Sequence, residues 1–213
     1  MIEVEKRSLV TQQQLDTHPL KNFFSEKATL QKHFRRFTMV GIENADFTPN
    51  PDSLIDLKVR TTEEKGLLTV KYGNWHTGTA REEHEISFNP ETEITAVMNI
   101  LRLLGRQTFI ISYLERFEYH FENIIITKDV YKSMPGSILL ELEVGVQNEN
   151  EVESAEKKID NLMAELQLET LDSEGTKRFI ADMNAIKEYQ VSFVSQSVDE
   201  WYTKWSDYIH CRI

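Results

Sequence analysis

Residues 2–10, IEVEKRSLV, decide how the rest of the chain is read. Successive side chains of a β-strand point to opposite faces. Glu3, Glu5 and Arg7 then share one face, with Ile2, Val4 and Lys6 on the other. A half-buried strand ordinarily has one apolar and one wet face, and here neither is clean. Two carboxylates and a guanidinium in a row need a reason.

The pattern recurs along the chain. DLKVR (56–60) puts Lys58 and Arg60 on one face and Leu57 and Val59 on the other. LLTVK (67–71) ends in Lys71, and REEHE (81–85) aligns Arg81, Glu83 and Glu85. ERFE (115–118) contributes Arg116 and ITKD (126–129) contributes Asp129. LLELEV (139–144) sets Glu141 and Glu143 against Leu140, Leu142 and Val144. Glu-x-Glu thus occurs at Glu3/Glu5, Glu83/Glu85 and Glu141/Glu143, each time beside apolar alternates.

Two arrangements fit this alternation. The charged rows are an ordinary solvated surface, or they line a polar lumen whose apolar outer faces are covered by helices. A lumen holding Arg7, Lys58, Arg60, Lys71, Arg81 and Arg116 is costly to desolvate unless anions fill it. Polyphosphate suits, because its many oxygens pair with cationic side chains. Carboxylates in the same lumen would repel that anion unless they held a hard cation, and oxygen-only donors suit Mg²⁺ or Mn²⁺ rather than zinc.

The totals narrow the classes. The 213 residues are 40% hydrophobic and 10% aromatic, enough for a substantial core, and the formal net charge is -11. That balance argues against a chain that grips nucleic acid or an anionic membrane. Cys211 is the single cysteine, so no internal disulfide can form and a reducing, cytoplasmic setting is expected. No apolar run approaches the ~18 residues of a membrane span.

Strands are expected over residues 1–9, 28–40, 54–62, 66–73, 80–88, 107–119, 123–129 and 136–146. The 54–62/66–73 pair reads as a hairpin turning at Glu63, Glu64, Lys65 and Gly66. Residues 92–105 form a helix with Ile94, Val97, Met98, Leu101 and Leu104 on one face, ended by Gly105. Residues 149–168 form a second amphipathic helix through Val152, Ala155, Ile159, Leu162, Met163 and Leu166. Beyond a polar break at 172–175, helices are expected over 176–194 and 197–210. Many strands with few crossovers favour an antiparallel sheet or barrel.

Taken in order, these motifs resemble the CYTH superfamily, the triphosphate tunnel metalloenzymes, which include class IV adenylyl cyclases, thiamine triphosphatases and inorganic triphosphatases. EVEKR resembles the family's opening E-x-E-x-K, with Arg7 in the lysine place. DLKVR, LLTVK, REEHE, the spacing from Arg116 to Asp129, and LLELEV follow in register over residues 2–168. QKHFRRF (31–37) departs from the family's second strand, Leu114 stands where many members carry another base, and the 129–141 segment is about one residue longer than the common pattern.

The resemblance implies an α+β fold: an eight-stranded antiparallel closed β-barrel forming a tunnel, helices outside, and a helical tail. The resemblance covers a tunnel domain over 1–170; the helical extension over 171–213 is expected from its own periodicity, and closes one tunnel mouth, packs on the barrel or makes a homodimer contact. The resemblance also implies metal-side acids Glu3, Glu5, Asp129, Glu141 and Glu143, with Glu5, Glu141 and Glu143 catalytic and Glu83 and Glu85 supporting. Arg7, Lys58, Arg60, Lys71, Arg81 and Arg116 would bind phosphate. The activity expected is Mg²⁺- or Mn²⁺-dependent hydrolysis of a small-molecule triphosphate, without nucleic acid or membrane as partner. The alternatives are a cyclase making cyclic AMP and pyrophosphate, and a non-catalytic triphosphate or polyphosphate binder.

Overall fold

The computed structural model describes residues 2–48, 50, 53–73 and 82–212. In chain order the strands are β1 (Ile2–Val10), β2 (Thr29–Ile42), β3 (Ile55–Thr61), β4 (Gly66–Tyr72), β5 (Glu82–Phe88), β6 (Thr108–Phe121), β7 (Ile124–Tyr131), β8 (Ile138–Val146) and a short β9 (Gln190–Ser192). The α-helices are α1 (Gln12–Leu15), α2 (Leu20–Asn22), α3 (Ile94–Leu103), α4 (Val152–Glu165), α5 (Ser173–Asn184) and α6 (Val198–Ile209). Strand order is β1-β8-β7-β6-β2-β3-β4-β5, with β9 paired to β6. The fold is therefore α+β around an antiparallel sheet, as expected, and the eight expected strands are present. Among the described residues no backbone ladder joins β1 to β5, so the expected closure is not made by hydrogen bonds there.

The chain forms two compact units, one of Met1–Phe34 with Glu115–Thr176 and the other of Arg35–Leu114 with Lys177–Ile213. In the first unit, β1 pairs with β8 along its whole length, from Ile2↔Val146 to Val10↔Ile138. β8 pairs in turn with β7, placing Thr127 opposite Glu141 and Ile125 opposite Glu143. The even residues of β1 and β8 face a core of Val4, Val10, Leu140, Leu142 and Val144, which packs on Ala155, Ile159, Leu162 and Met163 of α4. This resolves the impure face of β1. Lys6 lies on the core side and extends its ammonium to Asp160 of α4, at 2.5 Å, while its stem covers apolar surface.

In the second unit, β3 and β4 form the expected hairpin, from Ile55↔Tyr72 to Thr61↔Gly66. Leu57 and Val59 pack with Phe37, Met39, Phe109, Ile111, the inner face of α3, and Trp201, Trp205 and Ile209 of α6. Trp201 and Trp205 are thus core residues. Gly66 is required where it stands: it pairs with Phe88, and a Cβ there would lie 2.3 Å from the ring. Gly105 has φ +85°, the left-handed conformation that ends α3.

The tail departs from expectation at both ends of its first helix, which already begins at Ser173 within the expected polar break. The helix expected over 176–194 stops at Asn184, and Gln190–Ser192 become β9, pairing with Thr108–Ile110. Val191 and Phe193 are buried, so the alternating QVSF segment is satisfied as a strand rather than as a helical stripe. α6 begins as its sequence demands, with Ser197 and Glu200 forming a reciprocal capping box.

Candidate functional site

The odd-numbered face of β1 continues across β8 and β7. Arg7, Glu141 and Thr127 form one row of that surface, and Glu5, Glu143 and Ile125 the next. Arg7 bridges two acids: its Nη2 lies 2.7 Å from Glu5 Oε1 and its Nε donates to Glu141 Oε1 at 2.8 Å. Arg116 binds Asp129 through two parallel bonds, Nε to Oδ1 at 2.6 Å and Nη2 to Oδ2 at 2.5 Å. Its Nη2 is also 3.9 Å from Glu141 Oε2. Glu141 is therefore the common acid between two guanidiniums.

The carboxylates crowd one another. Glu5 and Glu141 converge on one guanidinium, Arg7 Nη2 lying 2.7 Å from Glu5 Oε1 and 2.7 Å from Glu141 Oε1. Burial and then the Glu141 charge push Glu5 up to about 7, against the pull of Arg7. Burial would raise Glu141 too, but Arg7 and Arg116 hold it at about 2. Glu143 is pushed up by burial and by Glu3 and Glu141. Both arginines are held charged: burial opposes ionisation, but Glu141 and Glu5 outweigh it at Arg7, and Asp129 and Glu141 at Arg116.

A second charged face lies in the other unit, across β3, β4 and β5. Register sets Asp56 opposite Lys71, Lys58 opposite Thr69, Lys71 opposite Glu83, and Thr69 opposite Glu85. Lys58 binds Asp56 at 2.7 Å and Lys71 lies 2.8 Å from Glu83. Thr69 donates to Glu85 at 2.9 Å, and Arg60 lies 4.0 Å from the same carboxylate. Burial lowers Lys58, offset in part by Asp56 and reinforced by Arg60 and Lys71. Lys58, Arg60 and Lys71 each have an acid near them, so an anion binding there competes with internal partners.

The structure thus brings together Glu3, Glu5, Arg7, Arg116, Asp129, Glu141 and Glu143 in one unit, and Lys58, Arg60, Lys71, Glu83 and Glu85 in the other. Arg81, with Trp75 and His76, lies outside the described residues. Asp129, expected on the metal side, has both carboxylate oxygens bound by Arg116, a geometry that seats the guanidinium. Sequence reading missed Asp56 and Thr127. The signal for both is parity: Asp56 shares a face with Lys58 and Arg60, and Thr127 with Asp129.

Other basic side chains of the strands have local surroundings of their own. His84 pairs with Val70 on the apolar side of β5. His33 stacks on Phe117 at 4.2 Å, and Lys32 lies 3.0 Å from Glu118. A cavity of about 500 Å³ in the second unit is lined by Glu63, Glu64, Glu91, His210 and Arg212 among others, and includes no expected site residue.

Among the described residues, no group of three or more His, Cys, Asp or Glu side chains is arranged to hold a metal ion. The donor chemistry nevertheless fits a hard divalent cation. Glu5, Glu141 and Glu143 offer only oxygen, and burial together with their mutual repulsion pushes Glu5 and Glu143 up. Among the described residues no helix is long and apolar enough to cross a membrane.

Several solved structures share this fold at low identity. A conserved hypothetical protein from Pyrococcus furiosus has a TM-score of 0.58 at 16% identity, over 78% of this chain and 91% of that one. A putative adenylate cyclase from Vibrio parahaemolyticus has a TM-score of 0.53 at 14% identity, over 79% and 90%. HpAC1 from Hippeastrum, a putative adenylyl cyclase described as revealing a dominant triphosphatase activity, has a TM-score of 0.56 at 15% identity, over 87% and 98%. No curated protein matches the chain. The CYTH domain pattern matches residues 1–176, and the chain therefore belongs to the CYTH family.

Proposed function

We propose that this chain is a divalent-metal-dependent phosphohydrolase that cleaves the terminal phosphoanhydride of a small-molecule triphosphate. One observation carries the reading: Glu5, Glu141 and Glu143 share one strand face, where Arg7 lies 2.7 Å from both Glu5 and Glu141 and Arg116 lies 3.9 Å from Glu141. A site for an anion alone gains nothing from those acids. A site for a cation alone gains nothing from the arginines. A metal–phosphate pair uses both.

In this reading Arg7 and Arg116 hold phosphate oxygens, the role that the family resemblance also gives Lys58, Arg60 and Lys71. Asp129 keeps Arg116 in orientation. Glu3, Glu5, Glu141 and Glu143 are the residues that would hold Mg²⁺ or Mn²⁺, which supplies Lewis-acid stabilisation of phosphoryl charge. Water adds to the terminal phosphorus as the bridging P–O bond breaks. Its proton passes to a carboxylate of the cluster, and diphosphate or its ester leaves with the bridging oxygen.

Hydrolysis is favoured over cyclisation because it needs only water beyond these charged faces, and the activity named for the Hippeastrum neighbour agrees. A non-catalytic role is the second reading, favoured by the internal partner near each of Lys58, Lys71 and Arg60 on the β3–β5 face. The test is incubation with tripolyphosphate, thiamine triphosphate and ATP, with Mg²⁺ or Mn²⁺ and with chelator. Orthophosphate that disappears with chelator supports the hydrolase. Cyclic AMP with pyrophosphate makes it a cyclase. Binding without turnover makes it a binder.

A further inference from the structure

Thr127 is 6% exposed, and its hydroxyl oxygen is buried without a hydrogen-bond partner. A buried hydroxyl left without a partner is destabilising. Valine has the same shape, suits a strand equally and would avoid that cost. The hydroxyl does not belong to the hydrophobic core, because the alternate residues Ile124 and Ile126 fill that side of β7. It stands on the charged face, directly across the ladder from Glu141, in the row that begins with Arg7.

We propose that Thr127 is a ligand-binding residue whose hydroxyl donates to a phosphoryl oxygen held between Arg7 and Arg116. This rests on reading the face as a phosphate site. The direction of the bond follows from its neighbours. Glu141 already accepts from Arg7 and lies 3.9 Å from Arg116, so an incoming anionic oxygen is the acceptor this row lacks. Two guanidiniums favour an anion over a cation at this end of the face. Tyr131, four residues along the same side of β7, lies within electrostatic reach of both Arg7 and Arg116, which places the strand's polar edge beside that pair. The neutral donor adds direction to charge: it distinguishes a tetrahedral phosphoryl group from a carboxylate or a simple halide held by the arginines alone.

The test uses inorganic tripolyphosphate as probe, in chelator, with binding followed by calorimetry and by the ligand-induced shift in melting temperature. Thr127→Val is expected to bind about tenfold or more weakly, as loss of a bond to a charged group requires. Its unliganded melting temperature is expected to be unchanged or higher, because the unmet hydroxyl is gone. Thr127→Ser, which keeps the hydroxyl, is expected to bind within about threefold of the parent. Equal binding by parent and Thr127→Val would overturn the inference and leave the phosphate reading intact. A parent that does not bind tripolyphosphate would overturn both. Should Thr127→Val fail to fold, Thr127→Ala is measured against Thr127→Ser, with weak binding by Ser as well counting against the inference.

Discussion

Arg116 and Asp129 are joined by two parallel bonds of 2.6 and 2.5 Å, and Asp129 is only 2% exposed. Such a buried pair is strongly destabilised when one partner is removed, by about 3–5 kcal/mol, because the other charge is left without compensation. Asp129→Ala is therefore expected to lower unfolding free energy by about that amount in a denaturant titration. Arg116→Met with Asp129→Leu is expected to recover much of it. Turnover should be lost in both, separating stability from function.

Glu5 and Glu141 each lie 2.7 Å from Arg7 Nη2, and burial with the Glu141 charge pushes Glu5 up to about 7. Glu5→Gln keeps the shape and can still bond Glu141, so the fold should be retained. Metal-dependent orthophosphate release is expected to fall by about 10²-fold or more. Tripolyphosphate binding in chelator should persist or tighten, since a negative charge beside the anion is removed. Unchanged turnover would remove Glu5 from the chemistry.

Lys71 faces Glu83 across the β4–β5 ladder, and Lys58 binds Asp56. Replacing either lysine with alanine is expected to weaken triphosphate binding by about 10- to 100-fold, the range for one charge-assisted bond. The complementary variant Glu83→Gln frees Lys71 and should tighten binding. An affinity that does not respond in opposite directions to Lys71→Ala and Glu83→Gln would place the ligand elsewhere.

Gly66 leaves room for the ring of Phe88, and a Cβ there would approach ring atoms at 2.3, 2.4 and 2.6 Å. Gly66→Ala is expected to cost about 1–3 kcal/mol by overpacking. Gly66→Ala with Phe88→Leu should cost less than the sum of the single changes, because the pair is in contact. Thermal unfolding of the four proteins measures the coupling.

Cys211 is 3% exposed, and burial pushes its thiol up to about 11. Its Sγ–H points at backbone carbonyls, Arg35 O at 3.5 Å and Thr61 O at 3.8 Å. A thiol-reactive dye should therefore label the native protein slowly at pH 8 and rapidly in denaturant. The sign of the pH effect follows from the raised value. Below the ordinary value of 9.0 the thiol is protonated in both states. Between that value and about 11 only the unfolded state ionises, so stability falls as pH rises through the window. Cys211→Ala should flatten that fall.

Strand parity was legible in advance because it needs only the period of two. That period placed Glu3, Glu5 and Arg7 on one face, and it placed Lys58, Arg60 and Lys71 with Glu83 and Glu85. It failed where a side chain's length defeats its parity, as at Lys6, whose stem lies on the core side while its ammonium reaches Asp160. It failed again at 190–192, where a short alternating segment among helical patterns could be assigned only by the edge of β6 that accepts it.

By itself the sequence determined which residues share a face, where α3 and α6 begin or end, and the family to which the chain belongs, because these follow from local periodicity and ordered motifs. Only the tertiary structure decided which acid meets which base. Parity says that Asp129 and Glu141 face the same way. It cannot say that Asp129 binds Arg116 with both oxygens while Glu141 lies between two arginines and shares Arg7 with Glu5. Those assignments depend on register between strands far apart in the chain, and on burial that makes one pairing cheaper than another.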